Sequence, residues 1–356
     1  MTSLKDFSLE GKNAWITGAS YGIGFAIASA MAAAGATIVF NDIKQELVDK
    51  GLEAYKAAGY DVLIEFAEDD SAKQAMQIEN MISKGANALV IVAVDCAALT
   101  DACEKAKEAG CVVIAEDRLI ENTDAVDFYV TFDLDKMGEL QGQYIADALG
   151  LADGKGPFNL EIFSGSQDDT NATHFYDGAM KVLQPYLDNG KLVVQSGQVS
   201  YAETAIQGWD SAKAQSRCDN LLSGFYSDEP LDVCLSTADC LAIGCISSLE
   251  SMGYGTDEKP FPIVTGQDAE LAAIKNIIAG KQAMSVFRDT RTLAAQAAKM
   301  ALQTFMDESV DVNDTTTWDN GMKVVPTYLC MPIYVDIDNY KDVLISSGYY
   351  KESDLT

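Results

Sequence analysis

The sequence predicts an α/β fold of two lobes, each a doubly wound parallel sheet flanked by helices. Three observations carry that prediction. Short apolar runs bounded by turn residues alternate with helical stretches almost from end to end, the pattern of repeated βα units. The runs are apolar throughout rather than alternating, as strands buried on both faces must be. At 356 residues the chain is also long enough for two cores of ordinary size.

Taken in order, the first strands fall at Asn13–Thr17, Thr37–Asn41, 62–66, 88–94 and 112–115, with helices between them. A second series starts near Phe128 and includes 160–163, 192–195, 233–235 and 262–265. The two sheets are therefore expected to join between Ala115 and Phe128.

Composition narrows the function. The formal net charge of −29 repels a nucleic-acid backbone and an anionic lipid surface, so neither is an expected partner. Eight cysteines are scattered without a CxxC pair, which excludes a zinc ribbon and a thioredoxin-like motif. They read as small buried hydrophobes, with a disulfide left open if the protein is exported. The acidic stretches FDLDKMGE and DVNDTTTWDNG lack the full pattern of a calcium loop, and no metal site is expected. His174, the single histidine, has no nucleophile placed beside it and reads as an ordinary helix residue. No transmembrane run is present, so no membrane insertion is expected. The start MTSLKDFSLEGK lacks an apolar core and a cleavage site, so the chain as written is expected to start in the cytoplasm.

Near the N-terminus, TGASYGIG follows a strand and opens a helix. Gly18 permits the tight turn, Gly22 and Gly24 let backbone approach a pyrophosphate, and Ser20 and Ile23 share the loop. Asp42, ending the next strand, is placed to accept from ribose hydroxyls and favour NAD over NADP. With SLEGKNAWITGASYGIG, TIVFNDI and YKAAG, residues 1–60 resemble the start of a short-chain dehydrogenase/reductase of the gluconate 5-dehydrogenase type. That resemblance implies a tyrosine general acid/base with a lysine four residues on. No tyrosine has one; Tyr176 has Met180 there and Lys181 one place late. Hydride transfer lacks its catalyst, and NAD is at most a conditional ligand.

From about Gly59 the chain resembles bacterial solute-binding proteins for monosaccharides, of the multiple-sugar, galactose and xylose type. The stretches AAGYDVLIEFAEDDSAKQAMQIENMISKGANALVIVAVD, VVIAEDRLI, FYDGAMKVLQPYLDNGKLVVQSGQ, VTGQDAEL and KVVPTYLCMPIYVDIDNYKDVLISSGYYKESDL carry it in order. The resemblance implies the type I periplasmic-binding-protein fold, two Rossmann-like lobes with three crossovers, here with an extra N-terminal β-α unit. Its lobes are expected to span 1–118 with 289–325 and 119–288 with 326–356, residues 1–60 forming part of the first. It also implies work outside the cytoplasm, with no required cofactor.

A sugar offers vicinal hydroxyls around a ring with apolar faces. Carboxylates, amides and guanidinium groups grip two hydroxyls at once, and an aromatic ring covers a C–H face. Asp117 and Arg118 match the family's Asp-Arg pair at a strand's C-terminal end, though a local ion pair there fits as well. Asp268 matches a family carboxylate, or is a helix cap. Asn171 lies in GSQDDTNA, where Asp168 or Asp169 is the alternative contact. Trp209 in GWDSAKAQ matches a stacking tryptophan, and is otherwise a core residue. Arg288 in SVFRDTR crosses between lobes and offers a bidentate bond.

Two departures stand out. STADCLAIG has Ala238 where the family usually shows asparagine, which removes one ligand bond worth about 1–3 kcal/mol. The family's first strand and its loop are replaced by dehydrogenase-like sequence. If Asn13–Thr17 is an added strand, it is expected to insert between Thr37–Asn41 and 88–94, where nucleotide and sugar would compete.

The reading that follows is a monomeric monosaccharide-binding component of an ABC importer, closing by hinge bending and read by the importer's membrane subunits. Two others stay open: an NAD-dependent oxidoreductase of gluconate or a related polyol, and an impaired fusion that binds neither ligand well. Sugar titration separates the first from the second, which predicts NADH formation with gluconate.

Overall fold

The computed structural model describes residues 13–17, 37–41, 62–64, 67–68, 70–305 and 308–355. The chain divides into two compact units, Met1–Phe132 with Asp289–Cys330 and Asp133–Arg288 with Met331–Thr356.

The first unit is built on a parallel sheet of seven strands. They are β1 (Asn13–Thr17), β2 (Thr37–Asn41), β3 (Val62–Ile64), β4 (Ala88–Ile91), β5 (Val112–Glu116), β6 (Phe128–Phe132) and, much later in the chain, β12 (Thr327–Cys330). Their order is β12-β6-β5-β4-β1-β2-β3. Strand β1 pairs with β2 from Asn13↔Thr37 and with β4 at Trp15↔Leu89, so it lies between them in the first sheet. Helices α1 (Ser71–Ser83) and α2 (Thr100–Glu108) join these strands, and α8 (Thr290–Phe305) returns against β4, β5 and β6. The apolar runs explain the burial: Val113, Ile114, Ala115, Tyr129 and Val130 are all inaccessible to solvent.

Two sequence expectations are corrected here. Phe128 does not open the second series; β6 pairs with β5 from Ile114↔Phe128, and β12 pairs with β6 from Thr327↔Tyr129. The boundaries accordingly fall at 132/133 and 330/331 rather than 118/119 and 325/326, because both strands are bonded into the first sheet.

The second unit carries a parallel sheet in the order β10-β9-β7-β8, from β7 (Phe158–Phe163), β8 (Leu192–Val193), β9 (Val233–Ser236) and β10 (Ile263–Val264). Its helices are α3 (Leu134–Leu149), α4 (Thr170–Asp188), α5 (Ser211–Phe225), α6 (Asp239–Ser251) and α7 (Leu271–Ile278). Aspartates start three of them. Asp133, Asp169 and Asp210 accept from backbone N–H groups of the first turns of α3, α4 and α5, satisfying donors that have no intrahelical partner. Helices α3 and α4 pack backbone to backbone; a Cβ on Gly138 would fall 2.0 Å from the Phe175 carbonyl oxygen. A separate antiparallel pair, β11 (Met284–Phe287) with β13 (Ile333–Asp336), had no counterpart in the sequence reading. None of the eight cysteines, all among the described residues, is in a disulfide.

Candidate functional site

In the first unit the candidate pair follows β5. Asp117 has φ +63, a left-handed conformation uncommon for a residue with a side chain. The sheet enforces it: the Asp117 N–H donates to Val130 O at 3.0 Å, and its carbonyl accepts from the Tyr129 hydroxyl at 2.7 Å. Arg118 reaches across the edge, where Nη1 donates to Val94 O at 3.3 Å. That loop is braced by buried Gln74, which donates to Val92 O and accepts from the Val94 N–H, both at 2.9 Å. Asp117 and Arg118 therefore stand at the C-terminal edge of a parallel sheet.

The second unit gathers its candidates at the equivalent edge. Loops leave β7 at 164–169, β9 at 237–238 and β10 at 265–270, and these strands are neighbours. Beyond β7 the chain at 204–206 runs alongside Ser164, through Ser164 N–H to Thr204 O and Ile206 N–H to Ser164 O, each at 2.9 Å. Three residues later comes Trp209. Gly208 (φ +75) and Trp209 (φ +53) both turn left-handed, and the Gly208 N–H is held by Ser166 Oγ at 2.7 Å. This turn lays the indole against Gly165 and near Phe175, with ring centroids 6.4 Å apart.

Asn171 and Asp169 are nearly fully buried; Asp169 Oδ1 accepts from the Asn171 N–H at 3.0 Å as the cap of α4. Asp168 Oδ2 accepts from Gln207 Nε2 at 2.9 Å, tying the β7 loop to the Trp209 turn. At the β10 end, Asp268 (φ +93) and Arg288 form one unit. Arg288 Nε at 2.9 Å and Nη2 at 2.6 Å both donate to Asp268 Oδ1. Both nitrogens converge on one carboxylate oxygen instead of one on each.

Beneath this pair Asp239 is wholly buried. Burial, and then the nearby Asp268 carboxylate, push its carboxyl well above the usual carboxylate range, against the pull of Gln282, Ser285 and the Glu270 N–H. Glu270 is raised for the same two reasons.

The structure thus joins Asp268 to Arg288 and sets Trp209 and Asn171 on the same sheet edge, while Asp117 and Arg118 belong to the other unit. Gly18, Ser20, Gly22, Ile23, Gly24 and Asp42 lie outside the described residues. Sequence reasoning missed Gly165 and Gln207, whose only signal was membership of polar loops after strand-like and helical runs. Asp239 stood in the sequence only as the residue after Ala238 in STADCLAIG. His174 pairs with Asp135 at 2.8 Å between α4 and α3. Among the described residues no group of three or more His, Cys, Asp or Glu side chains is arranged to hold a metal, and no helix is long and apolar enough to cross a membrane.

The geometry defines a class: an α/β protein of two units whose polar and aromatic side chains crowd the carboxyl edges of parallel sheets, where such folds bind small ligands. The chain belongs to the periplasmic binding protein family, whose description, "Periplasmic binding protein domain", matches residues 15–308. It is 52% identical over 302 residues to the multiple sugar-binding periplasmic protein of Azospirillum brasilense, covering 85% of this chain and 84% of that one. It is 48% identical over 343 residues to the multiple sugar-binding periplasmic receptor of Rhizobium radiobacter, covering 95% and 97%. Among solved structures it is similar to an ABC transporter solute-binding protein from Clostridium phytofermentans with bound β-D-glucose. There the TM-score is 0.78 at 44% identity, covering 89% of this chain and 99% of that one.

Proposed function

We propose that the chain binds a monosaccharide as the solute-binding component of an ABC sugar importer, working as a monomer in the periplasm and delivering sugar to the importer's membrane subunits. The observation that carries this reading is the 44% identity, over 89% of the chain, to the Clostridium phytofermentans protein solved with β-D-glucose. The chemistry of the candidate residues supports it. The Trp209 indole offers an apolar plate to a C–H face. Asp268, with Oδ1 committed to Arg288, keeps Oδ2 for a hydroxyl donor. Asp117, Arg118, Asn171 and Arg288 add acceptors and donors of the kinds that grip paired hydroxyls.

The dehydrogenase-like reading of residues 1–60 stands behind this one. The family match begins at residue 15 and takes in the glycine turn, and β1 is a member of the first sheet. We read the turn as part of the first lobe, with no nucleotide needed.

Calorimetric titration with D-glucose, D-galactose, D-xylose and L-arabinose, then with NAD, tests the proposal. Saturable binding of at least one sugar, with no NADH formed from NAD and gluconate, is the expected result. Failure to bind all four sugars overturns it, and gluconate turnover would put the oxidoreductase in its place.

A further inference from the structure

We propose that Asp239 is the positioning residue for Asp268: it grips the 266–270 strap on both sides of that residue and so aims the Asp268 carboxylate at Arg288. The inference rests on the reading of Asp268 as a sugar contact.

Asp268 and Ala269 are consecutive non-glycine residues in the left-handed region, with φ +93 and +50, a conformation that persists only where neighbours over-determine it. Asp239 supplies the determination. Its backbone N–H donates to Gln267 O at 2.9 Å, one residue before the strained pair. Its Oδ2 accepts from the Glu270 N–H at 2.8 Å, one residue after it. The same oxygen accepts from the Ser285 hydroxyl at 2.8 Å, whose oxygen in turn accepts from the Ala269 N–H at 2.9 Å, within the pair. Oδ1 accepts from Gln282 Nε2 at 2.8 Å and lies close against Gly266, where a Cβ would fall 2.0 Å from it. Residue 267 is thus held by the Asp239 backbone, and residues 269 and 270 by its side chain with Ser285. Residue 268 alone projects from the strap, with its N–H on Val286 O at 2.8 Å. Asp239, Ser285 and Gln282 are all buried, so bulk water does not replace a lost bond.

An amide at 239 offers one acceptor oxygen in place of two. The N–H₂ group then faces either Gln282 or the Ser285–Glu270 pair; in the second case the strap loses its side-chain hold after Asp268 at nearly constant volume, while the backbone bond to Gln267 O stays.

Calorimetric titration with D-glucose in a double-mutant cycle tests this. Asp239→Asn is expected to weaken binding about tenfold to a hundredfold. Ser285→Ala cuts only the relay to Ala269 and is expected to weaken it about threefold to tenfold. In an Asp268→Asn background both effects are expected to fall below about twofold, because the group they aim is gone. An Asp239 with a merely structural role would lower the unfolding temperature and cost the same factor in both backgrounds. That outcome overturns the proposal, as does an Asp239→Asn protein that binds like the parent. If Asp268→Asn alone leaves D-glucose binding unchanged, the sugar-contact reading falls and the proposal with it. If Asp268→Asn weakens binding and Asp239→Asn does not, only the proposal falls. If Asp239→Asn does not fold, Ser285→Ala carries the same cycle.

Discussion

Replacing Gly165 by alanine is expected to push the Trp209 indole off its seat. A Cβ at Gly165 falls 2.0 Å from Cη2 and 2.4 Å from Cζ2, whereas ordinary contact begins at 3.4 Å, so the ring edge must retreat by about 1.4 Å. The turn behind it gives little relief, because Gly208 and Trp209 are already left-handed and Ser166 holds the Gly208 N–H. Dispersion is steep: a gap of about 0.5–1 Å forfeits a quarter to a half of each contact, so this shift removes most of a stack on a sugar face. We expect D-glucose to bind about tenfold more weakly, or ~1.4 kcal/mol. Overpacking adds a stability loss of about 1–3 kcal/mol. Calorimetric titration reads the first and urea unfolding the second. In a Trp209→Ala background the stability loss should vanish, since the colliding ring is absent. A Gly165→Ala protein with parental affinity and parental stability would refute both the contact and the stacking role.

Two further outcomes follow from groups away from the candidate site. Tyr226→Phe removes the hydroxyl that donates to Glu161 Oε1 at 2.7 Å, leaving a wholly buried carboxylate with Ser196 as its nearest donor. The urea midpoint should drop by the equivalent of about 1–3 kcal/mol, and an unchanged midpoint would contradict the network. Glu139 accepts from Lys181 at 2.7 Å and Lys136 at 3.1 Å, and these bonds, that of Lys181 foremost, hold its carboxyl below the usual range. A depressed folded value means that its contribution is present above the ordinary glutamate value of 4.5 and is lost as pH falls through the folded one. The cluster is partly exposed, so the effect is under about 1 kcal/mol. Glu139→Gln should flatten the acid limb of the stability curve by that amount, and identical curves would remove Glu139 from the account.

Much of the fold was legible because strands and helices announce themselves locally. VVIAE and FYVTF are apolar runs between turns, and Asp133, Asp169 and Asp210 precede helical stretches as cap residues do. The position of β1 followed from the order in which doubly wound sheets add strands. Sheet membership of Phe128–Phe132 was not legible, since one apolar strand reads like another and only its partners decide which sheet it joins. The candidate residues divide the same way. Asp117 with Arg118 stood out as a charged pair after a buried strand. Gly165 did not, because its role depends on a ring that arrives from 44 residues downstream.

The amino-acid sequence by itself determined the alternation of strands and helices, the acidic surface and the residue types available to grip hydroxyls, because each depends on local pattern or on composition. Tertiary structure alone decided that Arg288 closes on one oxygen of Asp268, that Asp239 bonds to the 266–270 strap carrying Asp268, and that Trp209 rests on Gly165. Those relations join positions brought together only when β7, β9, β10 and β11 assemble, and no periodicity along the chain records them.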